Sequence, residues 1–220
     1  MTVSAEPSAA RPTLGDRTRA VWLAIAIAPM LASEIVRLGQ SDPFAWIAWD
    51  YAGRIAALAL LAALPVARAV AFRREEMRVG GWEVALWIAG LVAFDHLVDH
   101  ALNDYVSELI PGRLGGYPSG HGWLFALDLS VGLALVAYSE EVIFRRCLRK
   151  VLADRVGDNA KMVIGAALMF AGFHWWTGAG NIAAALSFGI AAMLAYRRIG
   201  ALSPVALAHY LCDVSNFATA

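Results

Sequence analysis

Apolar residues run along the chain in seven long blocks, near 20–37, 45–67, 81–101, 122–144, 161–176, 181–196 and 201–219. Between them the chain turns polar, with prolines, glycines and charges. The blocks are continuous rather than striped at a helical period, as expected of helices surrounded by lipid. Helices satisfy their own backbone groups in lipid, and the short alternating segments of a β-barrel are absent. The pattern therefore predicts an all-α polytopic membrane protein of about seven transmembrane helices. Residues 1–19, polar and holding Pro7, Pro12 and Gly15, predict a flexible cytoplasmic tail, and residues 20–220 a single integral membrane domain. No small-residue site closes a short apolar core after Arg17 and Arg19, which argues against a signal peptide. No internal repeat interrupts the pattern.

Composition agrees. The chain of 220 residues is 60% hydrophobic, with a mean hydropathy of +0.58, whereas soluble domains are about half apolar. Net charge is zero, so bulk charge points to no nucleic-acid partner. Of the 18 basic residues, 15 fall before block one or between blocks two and three, four and five, and six and seven. The intervening loops hold Arg37 and Arg113. The positive-inside rule then places the N-terminus in the cytoplasm and the C-terminus outside, across a bacterial inner membrane. Cys147 and Cys212 lie in or near apolar blocks and read as buried hydrophobes rather than a disulfide framework.

Ionisable side chains inside spans are costly, so each raises a functional question. Glu140 and Glu141 end the fourth block in Ser139-Glu-Glu-Val-Ile-Phe-Arg145. Glu141 and Arg145 are four apart, hence on one helix face, and Arg145 is the expected counter-ion. Glu140 is turned about 100° away and has no cation near it in sequence. Such a carboxylate recruits water or has a raised proton affinity, which suits a general base; the alternative is that both glutamates solvate at the cytoplasmic interface. His174 closes Phe170-Ala-Gly-Phe-His174, and His209 and Asp213 share a face of the last block. At ~1.5 Å per residue, Glu140 lies roughly 8–14 Å from the arginines at its cytoplasmic end, His209 ~12 Å from Ala201 and His174 ~20 Å from Lys161. His174 is thus expected too deep to meet the others unless its helix starts later or tilts.

At these residues the chain resembles the CPBP family, the type II CAAX prenyl proteases and bacterial Abi-type relatives. The family's motifs stand here, in order, as Glu140-Glu141-x-x-x-Arg145, Phe170-x-x-x-His174 and His209-x-x-x-Asp213. The resemblance covers a core at about 123–217 and extends to a subgroup associated with bacterial exosortase systems. It implies a glutamic-type intramembrane endopeptidase acting on a membrane-associated protein or peptide. Glu140 would activate water with help from His174, while His209 and Asp213 would stabilise the oxyanion; Glu141, Arg145 and Phe170 would support them. An ionised Asp213 would repel an oxyanion, so it either carries a proton or orients His209. No cofactor is implied. Zinc held by the glutamate and two histidines is the alternative, though a His-Glu-x-x-His helix is missing.

Other readings weigh less. Pro118-Ser-Gly-His121 with His209-x-x-x-Asp213 resembles fragments of PAP2-type lipid phosphatases, but no lysine precedes Lys150 and Ser203 stands where that motif needs arginine. Nothing would then hold the phosphate. Asp95, His96, Asp99, His100, Asn103 and Asp104 cluster at the outer end of span three. His96 and His100 have a metal-competent spacing, with His121 on the same side, beside the plainer reading of a solvated helix end. A Cys212–His209 dyad leaves Glu140 and His174 unexplained. A non-catalytic immunity, scaffold or proton-coupled transport protein could also use buried charges.

Overall fold

In the computed structural model, residues 14–118 and 122–218 are described. They form eight helices and no strand: α1 (Leu14–Leu38), α2 (Pro43–Ala63), α3 (Pro65–Ala71), α4 (Gly81–Leu109), α5 (Gly122–Val156), α6 (Ala160–Phe173), α7 (Ala179–Ile199) and α8 (Leu202–Ala218). Five of them (α1, α2, α4, α5 and α7) are long and apolar enough to cross a membrane. The chain is an all-α, multi-pass membrane protein. Most of the predicted tail, and Ser119, Gly120 and His121 of the phosphatase-like fragment, lie outside the described residues. The last six residues of that tail, 14–19, are instead the start of α1, since no proline separates them from the apolar run.

Local chemistry sets the helix ends. Asp42 accepts from the Ala45 N–H at 3.0 Å and caps α2, with Pro43 in its first turn. Leu64 is extended before Pro65, so the second block breaks into α2 and α3. Asn159 caps α6 by accepting from the Lys161 N–H at 2.9 Å.

Three π-helical turns interrupt the long helices: Asp95–Asp99 in α4, and Asp128–Gly132 and Glu141–Leu148 in α5. Each begins at an acidic residue, and each wider turn re-aims the side chains that follow.

α5 is the hub of the bundle, packing against α1, α2, α3, α6 and α8, while α7 lies between α6 and α4. α1 and α2 meet closely at Gly53, where a Cβ would collide with the Ser33 side chain and approach the Pro29 carbonyl. The distribution of side chains is inverted relative to a soluble protein. Ile35, Ile55, Leu86, Leu97, Val131 and Leu168 are exposed, whereas Arg37, Asp50, Arg54, Glu140, Glu141 and Arg145 are buried. Lipid can cover the first group, and the second must find partners inside.

One end of the bundle gathers the basic loops. Arg19 and Lys150 pair with Asp154, Arg149 and Arg197 with Asp158, Arg198 with Glu83, and Arg146 with Glu75. At the opposite end the segment 110–118 folds inward, and the Leu114 and Gly115 N–H groups donate to the Trp176 carbonyl at 3.0 and 3.2 Å.

Candidate active site

Glu140 and Glu141 sit where α5 changes from α- to π-geometry. Both are buried, at 2% and 0% exposure, so neither reaches a solvated interface. α5 continues to Val156, so Arg145 is not an interfacial residue as its place in the sequence suggests. It is 1% exposed, its Nε is 3.1 Å from Glu141 Oε2, and its guanidinium lies over the Phe170 ring at 4.3 Å. The expected Glu141–Arg145 pair is present.

The expectation that Glu140 lacks a cation is overturned by contacts across the bundle. Arg54 of α2 donates from Nη1 to Glu140 Oε1 at 2.9 Å and to the Ser139 hydroxyl at 3.1 Å. Its Nε donates to Asp50 Oδ2 at 2.9 Å. Asp50 also pairs with Arg37, which lies 3.5 Å from Glu34. Five buried charges (Glu34, Arg37, Asp50, Arg54 and Glu140) thus run in alternating sign across α1, α2 and α5. Isolated, each would be prohibitively costly in a low-dielectric interior; alternating, each is paired.

The sequence analysis missed Glu34, Asp50 and Arg54, and read Arg37 as a loop residue. One signal was available. Asp50 and Arg54 are four apart inside an apolar block, the spacing of a helical ion pair.

The predicted site residues converge from three helices. His174 follows the last residue of α6, and its Nδ1 lies 2.9 Å from the Phe170 carbonyl. A carbonyl can only accept, so Nδ1 carries the proton and Nε2 keeps a lone pair. Phe170 thus serves twice: its carbonyl fixes the tautomer of His174, and its ring separates Arg145 from the histidines, 4.8 Å from the His174 ring and 6.0 Å from that of His209.

His209 of α8 bonds through Nδ1 to Glu141 Oε1 at 2.9 Å. Its Nε2 lies 3.9 Å from Glu140 Oε2 and 3.8 Å from Asp213 Oδ2. Those two carboxylate oxygens are buried and make no hydrogen bond. The gaps are too long for direct bonds and suit an intervening water or substrate group.

Glu140, Phe170, His174, His209 and Asp213 all line one cavity of about 410 Å³. Asp95, Asp99, His100, Asn103, Arg113 and Tyr117 line it as well. The depth mismatch expected for His174 is removed because α5 runs on well past Arg145, placing Glu140 deeper than the arginines imply. The Cys212 thiol lines the same cavity, but His209 is committed to Glu141 and flanked by carboxylates.

The arrangement offers a carboxylate with one oxygen held and one free, an imidazole with a free lone pair, and a second imidazole between carboxylates. Such a set of groups is able to move protons.

The decisive comparison is with family models. Residues 122–215 match the family described as Rce1-like, type II CAAX prenyl endopeptidase. That segment is similar to the Rce1-like family. It contains α5 to α8, and with them all three motifs and every predicted catalytic residue. The match supports an intramembrane protease of the CAAX type. No curated protein and no solved structure matches the chain. Arg54 and its partners lie before the Rce1-like segment.

Proposed function

We propose that the protein is an intramembrane endopeptidase in which Glu140 activates the water that cleaves a peptide bond of a membrane-associated substrate. The observation that carries this reading is the free, buried Oε2 of Glu140 facing His209 across the cavity, with Oε1 anchored by Arg54. Oε2 takes a proton from a water held between it and the lone pair of His174. The resulting hydroxide adds to the peptide carbonyl carbon, and the carbonyl electron pair moves onto its oxygen. His209, with a carboxylate beside each ring nitrogen, carries a proton on both and donates from Nε2 to that oxyanion. Asp213 orients Nε2 from the other side. When the tetrahedral intermediate collapses, the C–N bond breaks and Glu140 returns its proton to the leaving amine. Burial restricts water and strengthens each of these interactions.

The scheme needs no cofactor. Its setting is the bacterial inner membrane, with the basic end of the bundle and the N-terminus in the cytoplasm and the C-terminus outside. The test is a comparison of membrane-protein termini between wild-type cells and cells making Glu140→Gln at equal level. Truncated products that vanish in the variant while their precursors accumulate support the reading. Unchanged termini, with Glu140→Gln still rescuing a deletion phenotype, favour a binding or transport role.

A further inference from the structure

The outer end of α4 carries a second cluster that peptide hydrolysis does not use. Among the described residues, Asp95, His96 and His100 bring three possible metal-ligating atoms within 4.8 Å of one another. The π-turn at Asp95–Asp99 makes this possible. With more than four residues per turn, positions one and five apart come to one side, and His96 and His100 stack edge to face at 5.2 Å. The two histidines are exposed and Asp95 is buried, so a cation can reach the group from water and find a carboxylate beneath it.

A neighbouring residue prepares two of the three ligands. The Asn216 Oδ1 lies 2.9 Å from His100 Nε2, and the Asn216 Nδ2 donates to Asp95 Oδ2 at 3.2 Å. An amide oxygen accepts, so His100 carries its proton on Nε2, which lies 3.9 Å from Asp95 Oδ2, and its Nδ1 is unprotonated. Metal-binding histidines are oriented in this way, by an acceptor on the other ring nitrogen. Asp99, on the same turn, is buried, and neither of its oxygens sits in hydrogen-bonding geometry with a donor, although the Ser187 hydroxyl is beside it. The turn therefore holds more carboxylate than its surroundings neutralise.

We propose that Asp95, His96 and His100 bind a divalent transition-metal cation of the zinc class beside the cavity. Two imidazoles and one carboxylate are a borderline donor set that suits zinc better than calcium or magnesium, and they leave a fourth position open. Asp95 and His100 also line the cavity that holds Glu140. Asn216 stands one turn beyond Asp213 on α8, so the ion and its amide partner tie α4 to the helix carrying His209. The site is separate from the hydrolytic residues and does not depend on the hydrolytic reading.

The test uses the full chain, purified in detergent with a tag other than polyhistidine, loaded with zinc and dialysed before metal analysis. Wild type is expected to retain about one zinc per chain, and His96→Ala and His100→Ala to lose it. Both residues are exposed, so the variants should elute and melt like wild type. Asn216→Ala should weaken zinc binding about 10–100-fold, while Glu140→Gln and His174→Ala should keep wild-type stoichiometry. Cobalt should give visible ligand-field bands in wild type that zinc abolishes, an independent readout if one variant folds poorly. Wild type without zinc or cobalt bands overturns the proposal. So does equal retention in His96→Ala and His100→Ala, or loss of the ion in Glu140→Gln. Zinc is read without substrate, so this result and the fate of the protease reading are decided separately.

Discussion

Arg54 donates to Oε1 of Glu140 at 2.9 Å, joining the second membrane helix to the motif helix. The bond leaves Oε2 without a hydrogen bond and holds the carboxylate in one orientation. Arg54 is therefore a positioning residue for the glutamate, supplied by a part of the chain outside the Rce1-like segment.

Arg54→Met leaves Glu140 without its hydrogen-bonded cation and Asp50 with Arg37 alone. Loss of about 3–5 kcal/mol of stability is expected, read from thermal unfolding in detergent. Combining Arg54→Met with Glu140→Gln should recover much of it, because the stranded charge is gone. Recovery by an unrelated surface change instead would show that the network is not the cause.

His174→Gln should keep the fold and lower peptide cleavage by about 10²–10⁴, the usual contribution of a positioned proton-transfer group. The melting temperature should stay near wild type, because backbone bonds hold the turn after α6: the Thr177 N–H donates to the His174 carbonyl at 3.0 Å, and the Leu114 N–H to that of Trp176 at 3.0 Å. Wild-type rates in His174→Gln would remove this residue from the mechanism.

Asp213→Asn separates two roles. Asp213 Oδ2 makes no hydrogen bond and lies 3.8 Å from His209 Nε2. An amide fills the same space and can donate to an oxyanion, so cleavage within about tenfold of wild type is expected, against a much larger loss for Asp213→Ala. Equal losses in the two variants would show that the charge itself is needed.

At the basic end, Glu75 accepts from Arg146 at 2.6 Å, Tyr196 at 2.5 Å and Arg73 at 2.9 Å, and its side chain is only 5% exposed. Burial pushes its carboxyl up, but these partners outweigh it and hold the group below the usual carboxylate range. The stabilisation is therefore present above the unfolded value of about 4.5 and is lost as pH falls through the lower folded value. Glu75→Gln should lower the melting temperature at neutral pH and flatten its decline below about pH 4.5. An unchanged acid limb would show that other carboxylates set it.

Gly53→Val should cost about 1–3 kcal/mol, because the new side chain meets Ser33 and the Pro29 carbonyl where α1 and α2 touch. Since α1 carries Glu34 and Arg37 toward Asp50, cleavage should fall along with stability.

The helical membrane fold was legible because lipid imposes long apolar blocks, and the motif residues because charges in such blocks stand out. What was not legible followed from contacts across the bundle. Nothing near Glu140 in sequence announces Arg54, and the i,i+4 pair Asp50–Arg54 was hidden in a block read by its average hydropathy. Arg145 was placed at a boundary because arginine usually marks one; Glu141 and the Phe170 ring let it stay buried. The π-turns have no clear sequence signature, so the aim of the side chains after Asp95 and Glu141 could not be read. The break at Leu64–Pro65 could have been.

α6 has 14 residues, about 21 Å of helix, against a hydrocarbon layer of about 30 Å. Its outward face, with Ile164, Leu168 and Met169, is exposed and apolar. Beside α6 the bilayer has to thin to meet the protein, so the lipid annulus is strained next to the cavity. Hydrophobic mismatch of this kind couples the protein to acyl-chain length: reconstituted cleavage should depend on bilayer thickness even where every contact in the cavity is unchanged.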